Sequence, residues 1–303
     1  MLVRMANNSS TNLLADKAPL LTRQLQADLW LVLVTVIWGS TFVVVKNELN
    51  NVGPLAFVGL RFSFGLLFML LLAHRALLRV DRRQIAAGCL IGVFLFGGYA
   101  LQTVGLGYTT ASKAGFITGL SVVLAPLFAR VILRHGPSGL EMLGVGLATL
   151  GLGLLSLGDG LEPALGDLLV LGCAACFALH IVAISAFAPK MDAMALTTVQ
   201  IGVVAVAGLA LTAAVEPVQR LPGPGTIGVA AAMGLVATAL TLSIQNRVQV
   251  FTTPTHTALV FSLEPVFAGL FGYLLLSERL GPRELVGCAL ILAGMVVAEL
   301  KRG

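Results

Sequence analysis

Charged residues are scarce in this chain. Lys, Arg, Asp and Glu make up 11% of its 303 residues, hydrophobic residues make up 57%, and the mean hydropathy is +0.96. A soluble domain usually carries about 25% charged residues, so this composition leaves too little polar surface for a fold that is surrounded by water. The sequence therefore predicts a membrane protein in contact with a lipid bilayer.

The small excess of basic residues, a net charge of +5, does not indicate nucleic-acid binding. Lys and Arg fall in short segments between apolar stretches, which is the distribution found at the cytoplasmic ends of membrane helices. With the N-terminus inside, 13 of the 19 basic residues lie on the inner side and 5 on the outer side, while Arg61 lies within a span. We therefore predict a protein of the bacterial inner membrane with both termini in the cytoplasm.

Catalytic and metal-binding patterns are also missing. The chain has four cysteines, and no second pair of ligands accompanies the CxxC of Cys173 and Cys176. It contains no HExxH sequence, no paired intramembrane aspartates and no serine with a histidine base. We predict neither an enzyme nor a protein that holds a cofactor or a metal ion.

Apolar stretches of about 20 residues, the length that crosses a bilayer, follow one another along most of the chain. Gly-Pro pairs such as Gly53–Pro54 and Gly281–Pro282 separate them. Residues 1–27 are predicted to be a cytoplasmic tail, since the first apolar run has no signal-peptide cleavage site. Ten spans are predicted, at 28–46, 54–73, 84–107, 111–134, 139–158, 167–188, 194–215, 226–250, 255–276 and 282–300.

An internal repeat organises these spans. Six identities share one offset in residue number, 143, which pairs Gln102, Thr109, Thr110, Glu141, Gly144 and Gly151 with Gln245, Thr252, Thr253, Glu284, Gly287 and Gly294. In the first two spans of each half the offset is 139, which pairs Arg61 with Gln200. Five spans per half is an odd number, so the second copy is inverted relative to the first.

The predicted fold class follows from this repeat. It is an all-α membrane protein with ten transmembrane helices, arranged as two five-helix inverted repeats at 28–158 and 167–300. Inverted repeats of this kind are typical of secondary transporters, whose substrate site lies near the middle of the membrane.

Two charged residues fall inside predicted spans, where a charge costs about 2.5–3.5 kcal/mol unless it is paired, protonated or hydrated. Glu264 precedes Pro265 in the ninth span. Its carboxyl group either bonds the backbone groups that Pro265 frees or pairs with Arg61, or else it titrates or contacts a substrate. Arg61 either pairs with a carboxylate or with backbone carbonyls, or reaches towards the membrane surface. Both are candidate coupling or cavity charges, with protons as a candidate coupling ion.

Candidate substrate-binding residues come from positions that the repeat relates. Gln102 and Gln245 are repeat mates whose amides either bind a zwitterion in a shared cavity or join neighbouring helices. Trp38 and Phe177 are mates that either wall a substrate pocket or pack in the core or against lipid. His180, one turn beyond Phe177, either titrates near neutral pH or is a hydrogen-bonded packing residue.

Two prolines are candidate hinge or kink positions. Pro126 and Pro265 fall within the fourth and ninth predicted spans, one turn apart in the repeat register. Kinked or broken helices border the binding sites of many transporters, although prolines are common in membrane helices generally.

Ordered motifs recur in both halves. The second half contains Ser262–Leu263–Glu264–Pro265–Val266–Phe267 and Glu284–Leu285–Val286–Gly287. The first half carries Trp38–Gly39–Ser40–Thr41–Phe42 and Thr109–Thr110–Ala111–Ser112, with Leu124–Ala125–Pro126 where the second has Leu263–Glu264–Pro265. This series resembles the EamA-type repeat of the drug/metabolite transporter superfamily. The resemblance implies a central cavity that opens alternately to each side, and export of amino acids or related metabolites.

The sequence thus predicts a secondary transporter, an exporter of small metabolites such as amino acids, whose partner is a small-molecule substrate. A drug or sugar-derivative transporter of the same fold is the alternative, and a membrane receptor or regulatory module is a second. The sequence assigns no oligomeric state.

Overall fold

The protein is helical throughout the part of the chain that its computed structural model describes. The described residues are 20–78, 80–109, 111–134, 136–156, 165–216, 222–276 and 281–299, and they contain no strand. Six helices in these ranges are long and apolar enough to cross a membrane, and three shorter apolar helices accompany them. The prediction of an all-α membrane protein is confirmed.

The helices fall into two series. The first contains α1 (Leu20–Glu48), α2 (Pro54–Leu77), α3 (Arg82–Leu106), α4 (Ala111–Gly119), α5 (Ser121–Ile132) and α6 (Gly139–Ser156). The second contains α7 (Leu165–Phe187), α8 (Ala193–Val215), α9 (Pro224–Gly234), α10 (Thr241–Val248), α11 (Pro254–Phe261), α12 (Glu264–Leu276) and α13 (Pro282–Glu299). A π-helical segment, Leu235–Leu240, joins α9 to α10 without a gap.

The helix boundaries repeat at the two offsets found in the sequence. The starts of α2 and α8, Pro54 and Ala193, are related by the offset of 139, while both ends of α6 and α13 are related by the offset of 143. The offset changes between the second and third helices of each series, because residues 78–81 connect α2 to α3 and the longer segment 216–223 connects α8 to α9. The repeat in the sequence is therefore also a repeat in the structure.

The largest differences between the predicted spans and the structure occur in three spans. The first helix spans Leu20–Glu48, so it includes residues 20–27, which precede the predicted span 28–46. Polar residues such as Arg23 and Gln24 end an apolar run without ending a helix. The predicted spans 111–134 and 255–276 are each two helices, because their apolar composition continues through a break that hydropathy does not detect.

The two breaks occur at equivalent positions. The first falls at Leu120 and the second at Ser262–Leu263, and the offset of 143 relates Leu120 to Leu263. Their backbone hydrogen bonds match, since Leu120 N–H donates to Ile117 and Leu263 N–H donates to Val260, both at 3.1 Å. Each break is thus a tight turn with a bond to the third preceding residue.

Glycines bring the last helices of the two series into contact. A β-carbon on Gly144 would lie 2.5 Å from the carbonyl oxygen of Gly294, and one on Gly151 would lie 2.5 Å from that of Gly287. Rising numbers in α6 meet falling numbers in α13, so these helices run antiparallel. Since Gly287 and Gly294 are the repeat mates of Gly144 and Gly151, the contact has two-fold symmetry, like the interface of a symmetric dimer.

Apolar side chains face outwards and many polar side chains face inwards. Leu71 and Leu72 of α2 are about two-thirds exposed, while Gln200 and Gln249 have no exposed surface. This distribution suits a protein in hydrocarbon, where polar groups must find partners inside the fold.

Candidate functional site

A cavity lies between the two series of helices, at the level of the helix breaks. It contains about 880 Å³ of space not occupied by atoms, including the part that is open to solvent. Eight of the nine residues singled out in the sequence line it, and only Pro126 does not. The lining consists of Trp38, Thr41, Phe42, Val45, Arg61, Leu95, Tyr99, Gln102, Thr103, Leu106, Gly115, Thr118, Gly119, Ser121, Phe177, His180, Ile181, Gln245, Phe261, Glu264 and Pro265.

Arg61 reaches from α2 to the π-helical segment. Its Nε donates to Thr238 Oγ1 and its Nη2 donates to the carbonyl oxygen of Ala237, both at 2.7 Å. The helices approach closely here, because a β-carbon on Gly234 would lie 2.6 Å from the carbonyl oxygen of Arg61. The guanidinium also lies 5.0 Å from the ring centre of Tyr99, in a cation–π contact. A backbone carbonyl is therefore one of its partners, as one of the sequence alternatives held.

Trp38 shares an acceptor with Arg61. Its Nε1 donates to the carbonyl oxygen of Ala237 and to Thr241 Oγ1, each at 3.1 Å. π-Helical turns such as the one that contains Ala237 are rare and occur mostly at functional sites.

Four aromatic rings form part of the cavity wall. The ring of Trp38 meets that of Phe261 edge-on with 5.2 Å between centroids, and Tyr99 meets Phe177 in the same way at 5.4 Å. Such pairs are a favourable arrangement of aromatic rings. Trp38 and Phe177, for which the sequence left open a pocket wall, packing in the core or contact with lipid, both line the cavity.

Glu264 is the first residue of α12, directly after the second break. Helix α1 lies close to it, because a β-carbon on Gly39 would lie 2.9 Å from the carbonyl oxygen of Glu264. Arg61 and Glu264 both line the cavity. Within the described ranges, however, the two side chains form no ion pair with each other.

The structural counterpart of Glu264 is Ser121. Each is the first helical residue after a break, the offset of 143 relates one to the other, and both line the cavity. The Leu-X-Pro match of the sequence paired Ala125 with Glu264, and this pairing is wrong because the breaks set the register. The cavity therefore has a carboxylate on one repeat and a hydroxyl group at the same place on the other.

The two glutamines of the repeat are bonded differently. Gln102 Nε2 donates to Thr118 Oγ1 at 3.2 Å, and Gln245 Nε2 donates to Gln249 Oε1 at 3.0 Å. Gln245 Oε1 is buried and has no hydrogen-bond partner among the described residues. A buried carbonyl oxygen without a partner costs about 1–3 kcal/mol, so this atom is available to accept a hydrogen bond from a bound molecule.

His180 belongs to a hydrogen-bonded network as well as to the cavity wall. Its Nε2 lies 3.1 Å from Gln200 Oε1, and Gln200 Nε2 donates to Asn246 Oδ1 at 3.0 Å. His180 is therefore hydrogen-bonded inside the fold and also lines the cavity, while its titration near neutral pH stays a prediction.

The two prolines occupy different positions. Pro265 is the second residue of α12, where the missing N–H of proline is tolerated, and it lines the cavity. Pro126 lies inside α5, and the break at Leu120 precedes it by six residues. The break in the first repeat is thus not made by its proline.

Sequence reasoning missed several lining residues, among them Tyr99, Ser121 and Phe261. The offset of 143 relates Ser121 to Glu264, so the repeat could have indicated Ser121. The same offset relates Phe261 to Thr118, whose side chain accepts a hydrogen bond from Gln102. Tyr99 carries no such signal, since its mate is Leu242, which lies in the core.

A helical membrane protein whose charged and aromatic cavity lies between two repeats has the architecture of a secondary transporter. Residues 25–157 and 164–299 each match the EamA-like transporter family, and the chain belongs to this family. The resemblance seen in the sequence is confirmed.

Relatives and a solved structure agree with this assignment. An uncharacterized transporter of Archaeoglobus fulgidus is 35% identical over 280 residues, which are 92% of this chain and 87% of that protein. An S-adenosylmethionine/S-adenosylhomocysteine transporter of Chlamydia trachomatis serovar L2 is 26% identical over 281 residues, which are 84% of this chain and 85% of that protein. A crystal structure with 19% sequence identity covers 91% of this chain and 98% of its own, with a TM-score of 0.77, and shows the same fold.

Proposed function

We propose that this protein exports small metabolites such as amino acids across the bacterial inner membrane by alternating access. The observation that supports this most is the pair Arg61 and Glu264. One has a basic and the other an acidic side chain, both line the cavity between the repeats, and they do not pair with each other within the described chain. A zwitterionic substrate supplies a negatively charged partner for Arg61 and a positively charged partner for Glu264.

An amino acid fits the lining group by group. Its ammonium group can donate to the Glu264 carboxylate and to the orphaned Gln245 Oε1, and both acceptors line the cavity. Its carboxylate is attracted by the charge of Arg61, and the rings of Trp38 and Phe177 give its side chain an apolar surface.

Ten spans and an inverted arrangement belong to the same proposal. Counting α4 with α5, α11 with α12, and α9 with α10 gives five spans to each of the predicted repeats 28–158 and 167–300. The antiparallel contact of α6 with α13 supports the inversion. The 13 basic residues on one side against 5 on the other support a cytoplasmic position for both termini.

Counterflow in proteoliposomes tests the function. Vesicles are loaded with one unlabelled amino acid and diluted into buffer that contains the labelled form of the same amino acid. Wild type is compared with Trp38→Ala and Glu264→Gln. We expect transient accumulation of label by the wild type and a loss of it in both variants. If well-folded protein gives no counterflow with any of the amino acids, the amino-acid proposal is wrong, and sugar derivatives and drug-like cations are tried next.

S-adenosylmethionine is a second candidate substrate, and it belongs in the same panel. A relative with 26% identity bears the name of a transporter for this compound. Its amino-acid group would bind as above, and its sulfonium and adenine suit a wall with four aromatic rings, because such rings attract cations and stack on flat bases. Counterflow with S-adenosylmethionine but with no simple amino acid would favour this candidate over the first.

A further inference from the structure

The cavity occupies only one half of the interior that the repeats enclose. Beyond its central residues it is lined by Val45 of α1, Leu106 of α3 and Gly115 of α4. The ends of α1 and α3 meet here, since Lys46 Nζ donates to the carbonyl oxygen of Leu106 at 2.9 Å. We call this half of the interior the cavity side.

In the opposite half, the described residues at the corresponding positions are buried and lie outside the cavity. At the offsets of 139 and 143, the counterparts of Val45, Leu106 and Gly115 are Ile184, Gln249 and Ala258. None of these three lines the cavity, and each has an exposed fraction of 0%. We call this half, towards the end of α7 and the start of α8, the sealed side.

The sealed side contains hydrogen-bonded amides that begin at the cavity wall. Gln249 accepts a bond from the cavity residue Gln245 at 3.0 Å, and its own Nε2 donates to the carbonyl oxygen of Ile181 at 2.6 Å and to Ser185 Oγ at 2.9 Å. Together these contacts lead from the cavity towards the end of α7.

A second branch begins at His180 in the cavity wall and runs through Gln200 to Asn246. Asn246 Nδ2 donates to Thr197 Oγ1 at 3.1 Å, near the start of α8. The two branches end on the same side of the molecule. We call the set Gln249, Ser185, Gln200, Asn246 and Thr197 the Gln249 network.

The packing of the repeat does not require these amides. Leu106 fills the position in the first repeat that Gln249 fills in the second, and Thr103 fills that of Asn246. Ser, Thr, Asn and Gln side chains inside a membrane protein either hydrogen-bond across helices or line a water-filled cavity. The Gln249 network therefore has the composition of a path, although it is buried in this conformation.

Contacts that can separate hold the sealed side together at its end. His256 Nε2 of α11 lies 3.0 Å from Asp28 Oδ1 of α1. Thr253, which caps α11, donates to Glu141 Oε1 of α6 at 2.8 Å. Both contacts fix the start of α11, and the break at Leu263 gives this helix a place at which to turn.

We propose that the Gln249 network is the second half of the transport path, which opens when α11 leaves α1 and α6. This inference rests on the proposed transport function and names residues that meet the substrate beyond the central site. The two half-paths differ in chemistry at one pair of equivalent positions, because Leu106 is apolar where Gln249 carries an amide. A solute therefore meets an apolar side chain at this position on one side and a hydrogen-bonding side chain on the other.

Cysteine labelling tests this inference without a known substrate. Gln249→Cys and its counterpart Leu106→Cys are made in a chain whose four native cysteines are replaced. A membrane-impermeant thiol reagent is then applied to right-side-out and to inside-out vesicles. We expect the two positions to react from opposite faces. Ser185→Cys, a smaller change in the same network, is expected to react from the face that labels Gln249→Cys.

The contacts at the sealed end provide the second arm of the test. In an Asp28→Asn, Glu141→Gln background we expect labelling at Gln249→Cys and Ser185→Cys to become at least threefold faster, and labelling at Leu106→Cys to become slower. Reaction of all three positions from one face would overturn the inference. So would a lack of reaction at both network positions, in either background, while Leu106→Cys reacts.

Labelling and counterflow also separate this inference from the proposed function. Counterflow by the wild type without labelling of the network would support the proposed transport function and contradict the inference about the path. Labelling from opposite faces without counterflow would support the inference about the path and contradict the proposed choice of substrates.

Discussion

Ser121 and Glu264 occupy the same position in the two repeats. Each directly follows the turn that breaks its helix, and both line the central cavity. The repeats are thus alike in backbone and unlike in charge at the centre of the site. Because of this difference, one repeat carries a carboxyl group where the other carries a hydroxyl group. A substitution of Glu264 can therefore remove this carboxyl group without changing the backbone.

Glu264→Gln is expected to lower the initial rate of counterflow about tenfold or more. A hydrogen bond to a charged group contributes roughly 1.5–3 kcal/mol, and each 1.4 kcal/mol corresponds to a factor of about ten. Glu216→Gln is the matched control, since Glu216 caps α2 through Leu55 N–H at 2.7 Å and does not line the cavity. A full rate in Glu264→Gln would show that the carboxylate takes no part in transport.

Arg61 is expected to stabilise the fold as well as to act in the cavity. Arg61→Met removes the two bonds to Thr238 and Ala237, although Trp38 still donates to the Ala237 carbonyl. We expect the temperature of half-unfolding in detergent to fall by roughly 5–10 °C.

Arg61→Lys is the companion variant. Lysine keeps the charge but cannot match the fork of the guanidinium, so an intermediate temperature is expected. The measurement is the fraction of protein that stays monodisperse in size-exclusion chromatography after heating. Equal unfolding temperatures in wild type and Arg61→Met would contradict the structural role.

The repeat is the part of this structure that the sequence predicts best. From α2 onwards, the offsets of 139 and 143 place the starts and ends of corresponding helices to within one residue. The offsets can be recognised in the sequence because helix contacts such as those at Gly144 and Gly287 bring backbones so close that only a small residue fits there. The breaks at Leu120 and Leu263 were missed, since apolar residues run through both turns and no proline lies within either of them.

The site is predicted less completely, for a related reason. Polar residues in apolar spans are conspicuous, so Arg61, Gln245 and Glu264 could be found without a structure. The bond from Arg61 to the backbone carbonyl of Ala237 could not be found in this way, because no sequence pattern predicts the π-helical turn that contains Ala237. Tyr99 was missed because an aromatic residue among leucines is equally suited to the core.

Gly98→Ala is expected to narrow the cavity. A β-carbon on Gly98 would overlap the ring of Phe177, so the ring must move, and we expect it to move towards the cavity that it lines. We expect the apparent affinity for bulky substrates to fall several-fold more than that for small ones, measured by competition in counterflow. Gly228→Ala on α9, where nothing lies within 4 Å, is the control. Equal changes for bulky and small substrates would show that Phe177 does not set the size limit.

Gly151→Ala is expected to destabilise the contact between α6 and α13. The added β-carbon would lie 2.5 Å from the Gly287 carbonyl oxygen, and overpacking of this kind typically costs about 1–3 kcal/mol because backbone cannot yield as a side chain can. Gly146→Ala on the same helix meets nothing within 4 Å, so it should be neutral or stabilising by up to about 1 kcal/mol. The temperatures of half-unfolding in detergent measure this difference.

The same pair of variants shows whether α6 and α13 move during transport. If they form a fixed axis between the repeats, Gly151→Ala lowers stability but leaves unchanged the ratio of labelling at Leu106→Cys and Gln249→Cys. The reason is that strain in a contact common to both conformations raises their free energies equally and cannot shift the balance between them. A changed labelling ratio, with Gly146→Ala at the wild-type value, would show that these helices slide as the cavity changes sides. The opening of the sealed side would then involve α6 and α13 as well as α11.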